Sequence, residues 1–187
     1  MQTPAPAVVH PYDSRWPLLF QEEGDRIGGA VLGLALAIEH VGSTAVPALC
    51  AKPIVDIMMG VRSLEDANHC IEPLGRIGYQ YRPESEASIP ERRYFAGRPR
   101  GGVGYHLHVV EYGGDFWERH LLFRDFLRQD SEAAEEYGRL KIKLAARFGT
   151  DREGYTEAKT TFVRSVAQRS RQEAEAACRK TPLSQSG

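Results

Sequence analysis

The chain has 187 residues, of which 42% are hydrophobic and 26% charged, enough for one domain with a sizeable core. Its net charge of -1 excludes a global field that would hold nucleic acid or an anionic membrane, and leaves room only for a local basic pocket. Cys50, Cys70 and Cys178 are odd in number and widely spaced with no C-x-x-C pair. That argues against a disulfide framework or zinc knuckle and fits a reducing cytoplasm.

Residues 1–9, rich in Pro and Ala, read as a flexible tail without the basic and apolar regions of a signal peptide. A single domain is expected over residues 10–177. Ser14 is expected to cap a helix whose first turn holds Pro17. Trp16, Phe20, Glu23, Ile27, Val31 and Leu34 then recur at steps of three and four. Gly24, Gly28, Gly29 and Gly33 weaken that helix by up to about 1 kcal/mol each. The apolar stretch 30–38 is too short to span a bilayer, so the protein is expected in the cytoplasm without a membrane partner.

Strands are expected at 37–41 and 53–61. Ser63 and Asp66 then form a variant capping box for a helix to about Arg76. Strands at 78–82 and 92–97 flank a polar loop (83–90), a flexible connection follows at 101–104, and a last strand covers 105–111. The character then changes: residues 115–128, 131–148 and 152–177 read as helices, the last capped by Asp151 with Tyr155, Phe162, Val163 and Val166 on its buried face. Residues 178–187 are expected to be disordered. A strand-rich segment (37–111) followed by a helical one (115–177) indicates an α+β (mixed α/β) fold.

The stretch from His40 to Ile57 carries the functional signal. Gly42, Ser43 and Thr44 form a small-residue turn rich in backbone N–H groups and hydroxyls, suited to phosphate. Lys52 precedes a proline and so enters the next strand extended. Asp56 lies within an apolar strand, on one face with Ile54 and Met58, where an ionised carboxylate is costly unless compensated. His106 and His108 share one face of a later strand and offer a metal pair or a hydrogen-bonding platform. With Asp56 they would make a two-His-one-carboxylate set for a divalent ion. Arg92, Arg93 and Tyr94 form a second basic spot, followed by Arg98 and Arg100. Arg124, Arg128, Lys141 and Lys159 could line a cleft from the helical half.

The run Glu39–Pro47, then Leu49 and Ala51–Ile57, closely resembles the hallmark segment of the GrpB family. The resemblance continues through His106–Val109, Phe123–Arg128, Tyr137, Leu140–Lys141, Asp151–Arg152, Tyr155, Lys159 and Phe162, over nearly the whole chain. Ala48 departs from the glycine usual there and restricts the turn. The resemblance implies a nucleotidyltransferase-like fold, a small mixed sheet with flanking helices, similar also to a domain fused behind some dephospho-coenzyme A kinases. In that superfamily a Gly-Ser turn holds nucleotide phosphates and three acids bind divalent metals. Gly42 and Ser43 match the turn and Asp56 the first acid; Met58 stands at the second acid, and the strand of His106 and His108 would supply the third.

These residues lead to one expectation and two rivals. A nucleotide or phosphate ester would sit on Gly42, Ser43 and Thr44, neutralised by Lys52, Arg93 and Lys141. Asp56, His106 and His108 would hold magnesium or manganese and catalyse nucleotidyl transfer, with a histidine as ligand or general base. The first rival is a non-catalytic accessory domain that keeps the anion pocket without the metal acids. The second is a His/His/Asp metal-dependent hydrolase.

Overall fold

The computed structural model describes residues 8–149, 151, 154–155, 158–166 and 169. The expected tail at 178–187, Cys178, most of the tail at 1–9 and the end of the last expected helix lie outside these. Helix α1 (Trp16–Ala30) precedes strands β1 (Ala37–Val41) and β2 (Ile54–Val61). Helices α2 (Leu64–His69) and α3 (Ile71–Arg76) lead to β3 (Gln80–Tyr81), β4 (Arg92–Arg100) and β5 (Val103–Glu111), then to α4 (Asp115–Gln129) and α5 (Ser131–Phe148). Residues 154, 155, 158–166 and 169 are also helical. No described helix is long and apolar enough to cross a membrane.

The strands form one mixed sheet in the order β1-β2-β5-β4-β3. Only the β2–β5 pair is parallel, and α2, α3 and the β3–β4 ribbon lie between those two strands in the chain. The α+β expectation, with a small mixed sheet and flanking helices, is therefore borne out.

Alternation along the two central strands separates two faces. Val55, Ile57 and Met59 of β2 and Tyr105, Leu107 and Val109 of β5 join Trp16, Ile27 and Leu74 in the main core under α1, α2 and α3. The opposite face carries Asp56, Met58, His106, His108 and Val110. Met58 and Val110 there pack with Val41, Phe116 and Trp117 at the start of α4. A third cluster ties Val46 and Leu49 of the β1–β2 connection to Phe126, Leu127, Tyr137, Phe162 and Val166. The helical half is thus seated on the loop that carries the candidate turn.

Three local expectations change. Ser14 is not the cap of α1: Arg15 holds that position without a side-chain bond, and the Asp13 carboxylate accepts the Arg15 N–H at 2.9 Å. The helix after Ser63 is two helices. Ser63 accepts the Asp66 N–H at 3.2 Å as expected, but Pro73 has no N–H and its ring crowds the carbonyl of residue 69, so the chain restarts at Cys70. The connection at 101–104 shrinks to Gly101 and Gly102, both at positive φ, which makes a two-residue hairpin turn between β4 and β5.

Candidate functional site

β1 ends against Asp56, since Val41 pairs with it across the antiparallel ladder. The next residue, Gly42, takes φ 72 and ψ -167 and turns the chain over the carboxylate. A Cβ at Gly42 would fall 2.5 Å from Asp56 Oδ2, so only glycine allows this approach. The Asp56 side chain is 30% exposed, so the acid beside the turn is reached by solvent.

Ser43 opens a short 3-10 turn. Thr44 behaves differently from the expectation. It is 1% exposed, and its hydroxyl donates to the Ile54 carbonyl at 3.1 Å while lying 3.0 Å from His40 Nε2. Its side chain therefore staples the turn to β2 and does not face a ligand. His40 stacks on Phe20 at 4.7 Å, and burial pushes its imidazole down to about 4, so it is neutral. From α4, Arg124 holds the His40 carbonyl at 3.0 Å and Arg128 the Ala45 carbonyl at 2.9 Å, clamping both ends of the turn.

The parallel register of β2 and β5 sets Asp56 beside His106 and Met58 beside His108. His106 Nδ1 lies 3.1 Å from Asp56 Oδ1, and His108 Nε2 lies 3.8 Å from the same oxygen. Burial pushes the Asp56 carboxyl up, but the hydrogen bond from His106 and the nearby charge of the two imidazoles outweigh it and hold the group well below the carboxylate range. Burial also pushes His108 down, against the pull of Asp56. Behind His108, Arg92 reaches Nδ1 at 3.1 Å and lies over the rings of Tyr94 and Phe116 at 4.9 and 5.9 Å. Arg92 Nε is buried without a hydrogen-bond partner among the described residues.

Arg93, expected at the phosphate, is on the other face of the sheet. It pairs with Val109, and its side chain engages Asn68 at 2.9 Å and Glu86 at 3.2 Å. Its neighbour Arg92 is the basic residue that β4 delivers to the site. The period of two along a strand is the signal that separates them.

The helical half supplies lysines. Lys141 of α5 is 3% exposed, donates to the Cys50 carbonyl and lies 4.8 Å from the Tyr137 ring centroid. Burial pushes its ammonium down to about 8. Lys52 and Lys159 both sit over the Tyr155 ring, at 4.7 and 4.4 Å. Burial lowers Lys159, the charge of Lys52 lowers it further, and that of Asp56 opposes both, which puts all three groups in one neighbourhood.

The donors do not fit a two-magnesium clamp. Asp56 supplies one carboxylate, and the second acid position is Met58, fully buried against Phe116 and Trp117. The strand expected to give a third acid gives the two imidazoles. Magnesium prefers hard oxygens in octahedral array, which this set cannot provide alone. Among the described residues no group of three or more His, Cys, Asp or Glu is arranged to hold a metal ion.

A family model described as GrpB protein matches residues 6–169. UPF0157 protein BH1888 of Halalkalibacterium halodurans is 39% identical over 158 residues, covering 84% of this chain and 79% of that one. The crystal structure of conserved protein GrpB from Enterococcus faecalis superposes with a TM-score of 0.76 at 31% identity, over 89% of this chain and 99% of that one. A dephospho-CoA kinase of Mycolicibacterium paratuberculosis is 28% identical over 189 residues, covering 88% of this chain and 46% of that protein.

Proposed function

Since the chain belongs to the GrpB family, we propose that it binds a nucleotide or another phosphate ester in the hollow between Gly42, Ser43, Asp56 and the lysines Lys52, Lys141 and Lys159. One observation carries this reading: a turn that only glycine permits lies over Asp56, with the half-buried Lys52 and Lys159 in its neighbourhood and the buried Lys141 next to Lys159. Buried ammonium groups are costly without an anion, and a phosphate answers several at once. Backbone N–H groups at the turn would orient its oxygens.

The donor set supports binding over two-metal nucleotidyl transfer. A magnesium or manganese ion would arrive with the ligand's phosphates and find Asp56 as its carboxylate. The likeness to under half of a dephospho-CoA kinase also favours a module that serves beside an enzyme.

Calorimetric titration with pyrophosphate and with ATP, in EDTA and in magnesium, tests the reading. Binding that survives EDTA is expected, about tenfold weaker or worse in Lys141→Met. The affinity should also decline as the pH rises past about 8, where Lys141 loses its charge. Folded protein that binds neither ligand in either condition overturns it.

A further inference from the structure

The last described helical segment brings a buried ring and a cation toward the hollow. The Asp151 carboxylate accepts the Gly154 N–H at 2.9 Å, and the Asp151 carbonyl accepts the Tyr155 N–H at 3.2 Å, which fixes where the segment begins. Further along, Phe162 stacks on Tyr137 of α5 at 5.0 Å with 15° between the ring planes, and Val166 is fully buried in the same cluster. Tyr155 is thus held from both ends and is 5% exposed. Unlike Phe162 and Val166, it joins none of the three apolar clusters among the described residues. Two ammonium groups lie over its ring instead. Lys159, four residues on, is 4.4 Å from the centroid, and Lys52, which leads into β2, is 4.7 Å from it. Both lysines are half-buried, on flexible stems of four methylenes. Their like charges repel, and the negative face of the ring, with the carboxylate of Asp56 nearby, opposes that repulsion.

We infer that Tyr155 is a positioning residue for the anion: its ring gathers the Lys52 and Lys159 ammonium groups at the hollow, so that one phosphate-bearing ligand meets both already ordered. The inference rests on the phosphate-site reading for its ligand. Lysine stems left free lose rotamer freedom when a ligand binds; on the ring that ordering precedes binding, and affinity rises by the difference. An ammonium carries three N–H donors, and a ring face beneath it leaves donors for phosphate oxygens. The ring face performs this task and the hydroxyl does not. Phenylalanine should therefore serve at position 155, and an aliphatic side chain should not.

Calorimetric titration of the full chain with pyrophosphate in EDTA measures the effect. Tyr155→Leu should bind about tenfold more weakly than the wild type, and Tyr155→Phe, which restores the ring, should recover to within about twofold. A double-mutant cycle separates positioning from packing. In a Lys159→Met background, where one of the two cations is gone, the change from Tyr155 to leucine should weaken binding by only about threefold. An undiminished tenfold loss in that background overturns the proposal, because the ring would then act without the lysine. So does a folded Tyr155→Leu protein that binds like the wild type. Proton NMR of the ligand-free wild type gives a reading that needs no variant. The ε-methylene protons of Lys52 and Lys159 should be shifted upfield by the ring, and unshifted signals from both overturn the proposal even if Tyr155→Leu fails to fold. Wild-type protein that binds no pyrophosphate overturns the phosphate reading instead, and the ring shifts judge Tyr155 separately.

Discussion

Two carboxylates, one on each side of the sheet, are both held ionised, and their partners differ. Glu23 of α1 is 2% exposed and takes hydrogen bonds from Arg26 at 3.1 Å and Tyr79 at 2.8 Å, with Arg100 at 3.1 Å. Burial raises its carboxyl, and the Arg26 and Tyr79 bonds with the arginine charges bring it below the usual value. Permanent cations and one phenol close that group off. Asp56 is held by imidazoles, which can lose or move a proton, and stays 30% exposed. A closed carboxylate with fixed partners ties α1 to the sheet, and an accessible one with titratable partners can take part in chemistry. Stability should therefore concentrate at Glu23 and reactivity at Asp56.

The largest expected effect tests the first half of that contrast. Glu23→Ala strands Arg26 and the Tyr79 hydroxyl at the core edge and should cost about 3 kcal/mol, a lowering of Tm by roughly 6–12 °C. The figure sits at the low end for a buried pair because Arg26 and Arg100 are 28% and 49% exposed and regain water. Asp56→Asn should cost no more than about 1 kcal/mol, as its site is open to solvent. Urea unfolding of both variants checks the order, and a larger loss at Asp56 would reverse the assignment of roles.

Acid separates the same groups by window. His40 and His120 are pushed down by burial from 6.5 to about 4, so the unfolded chain binds more protons between those values. Stability must then fall as the pH drops from about 6.5 to about 4, and this loss saturates below that range. Asp56 and Glu23, held below their ordinary values, contribute stability that is present above those values and lost only on further acidification. Urea midpoints measured stepwise from pH 7 to pH 3 should therefore show two descents. The substitution His40→Asn should shrink the upper one alone.

The β1–β2 connection allows a paired test through backbone strain. Gly42→Ala would put a methyl into the Asp56 carboxylate at a φ of 72, costing about 1–3 kcal/mol and weakening pyrophosphate binding along with stability. Six residues on, Ala48 already holds φ 62, a left-handed conformation that alanine resists. Ala48→Gly should therefore gain about 1 kcal/mol in urea unfolding, offset in part by the greater freedom of glycine in the unfolded chain. The departure at Ala48, which in the sequence reads as a restricted turn, is a local strain in the folded protein.

Much of this layout is legible in the sequence, and what is not has a specific cause. β1 and α5 fall within their expected bounds, α5 because its helical spacing is unbroken. The convergence of Gly42 with Asp56 is expected from the motif, but the antiparallel register that produces it cannot be read from spacing. Thr44 reads as a phosphate ligand because its hydroxyl is the right group. Its use as a staple depends on His40 and Ile54, which only the folded turn brings near. Lys159 carries the same weak signal as every lysine on a helix until Tyr155 and Lys52 are placed beside it.

The smallest expected effect sharpens the two-face comparison most directly, because it uses adjacent arginines. Arg93 faces α2, held by Asn68 and Glu86, and Arg92 faces His108 on the opposite side. Arg93→Gln should change pyrophosphate affinity by less than about twofold, well under the 1.4 kcal/mol of a tenfold change. It removes only a partly exposed ion pair, so its cost in stability should be below about 1 kcal/mol. Arg92→Gln should leave Phe95 of β4 seated in the main core, yet alter the His108 tautomer. Calorimetry on the two variants in parallel measures the contrast: equal losses of affinity would mean that the hollow draws on both faces of β4, and the division of the sheet into a structural and a reactive side would fail.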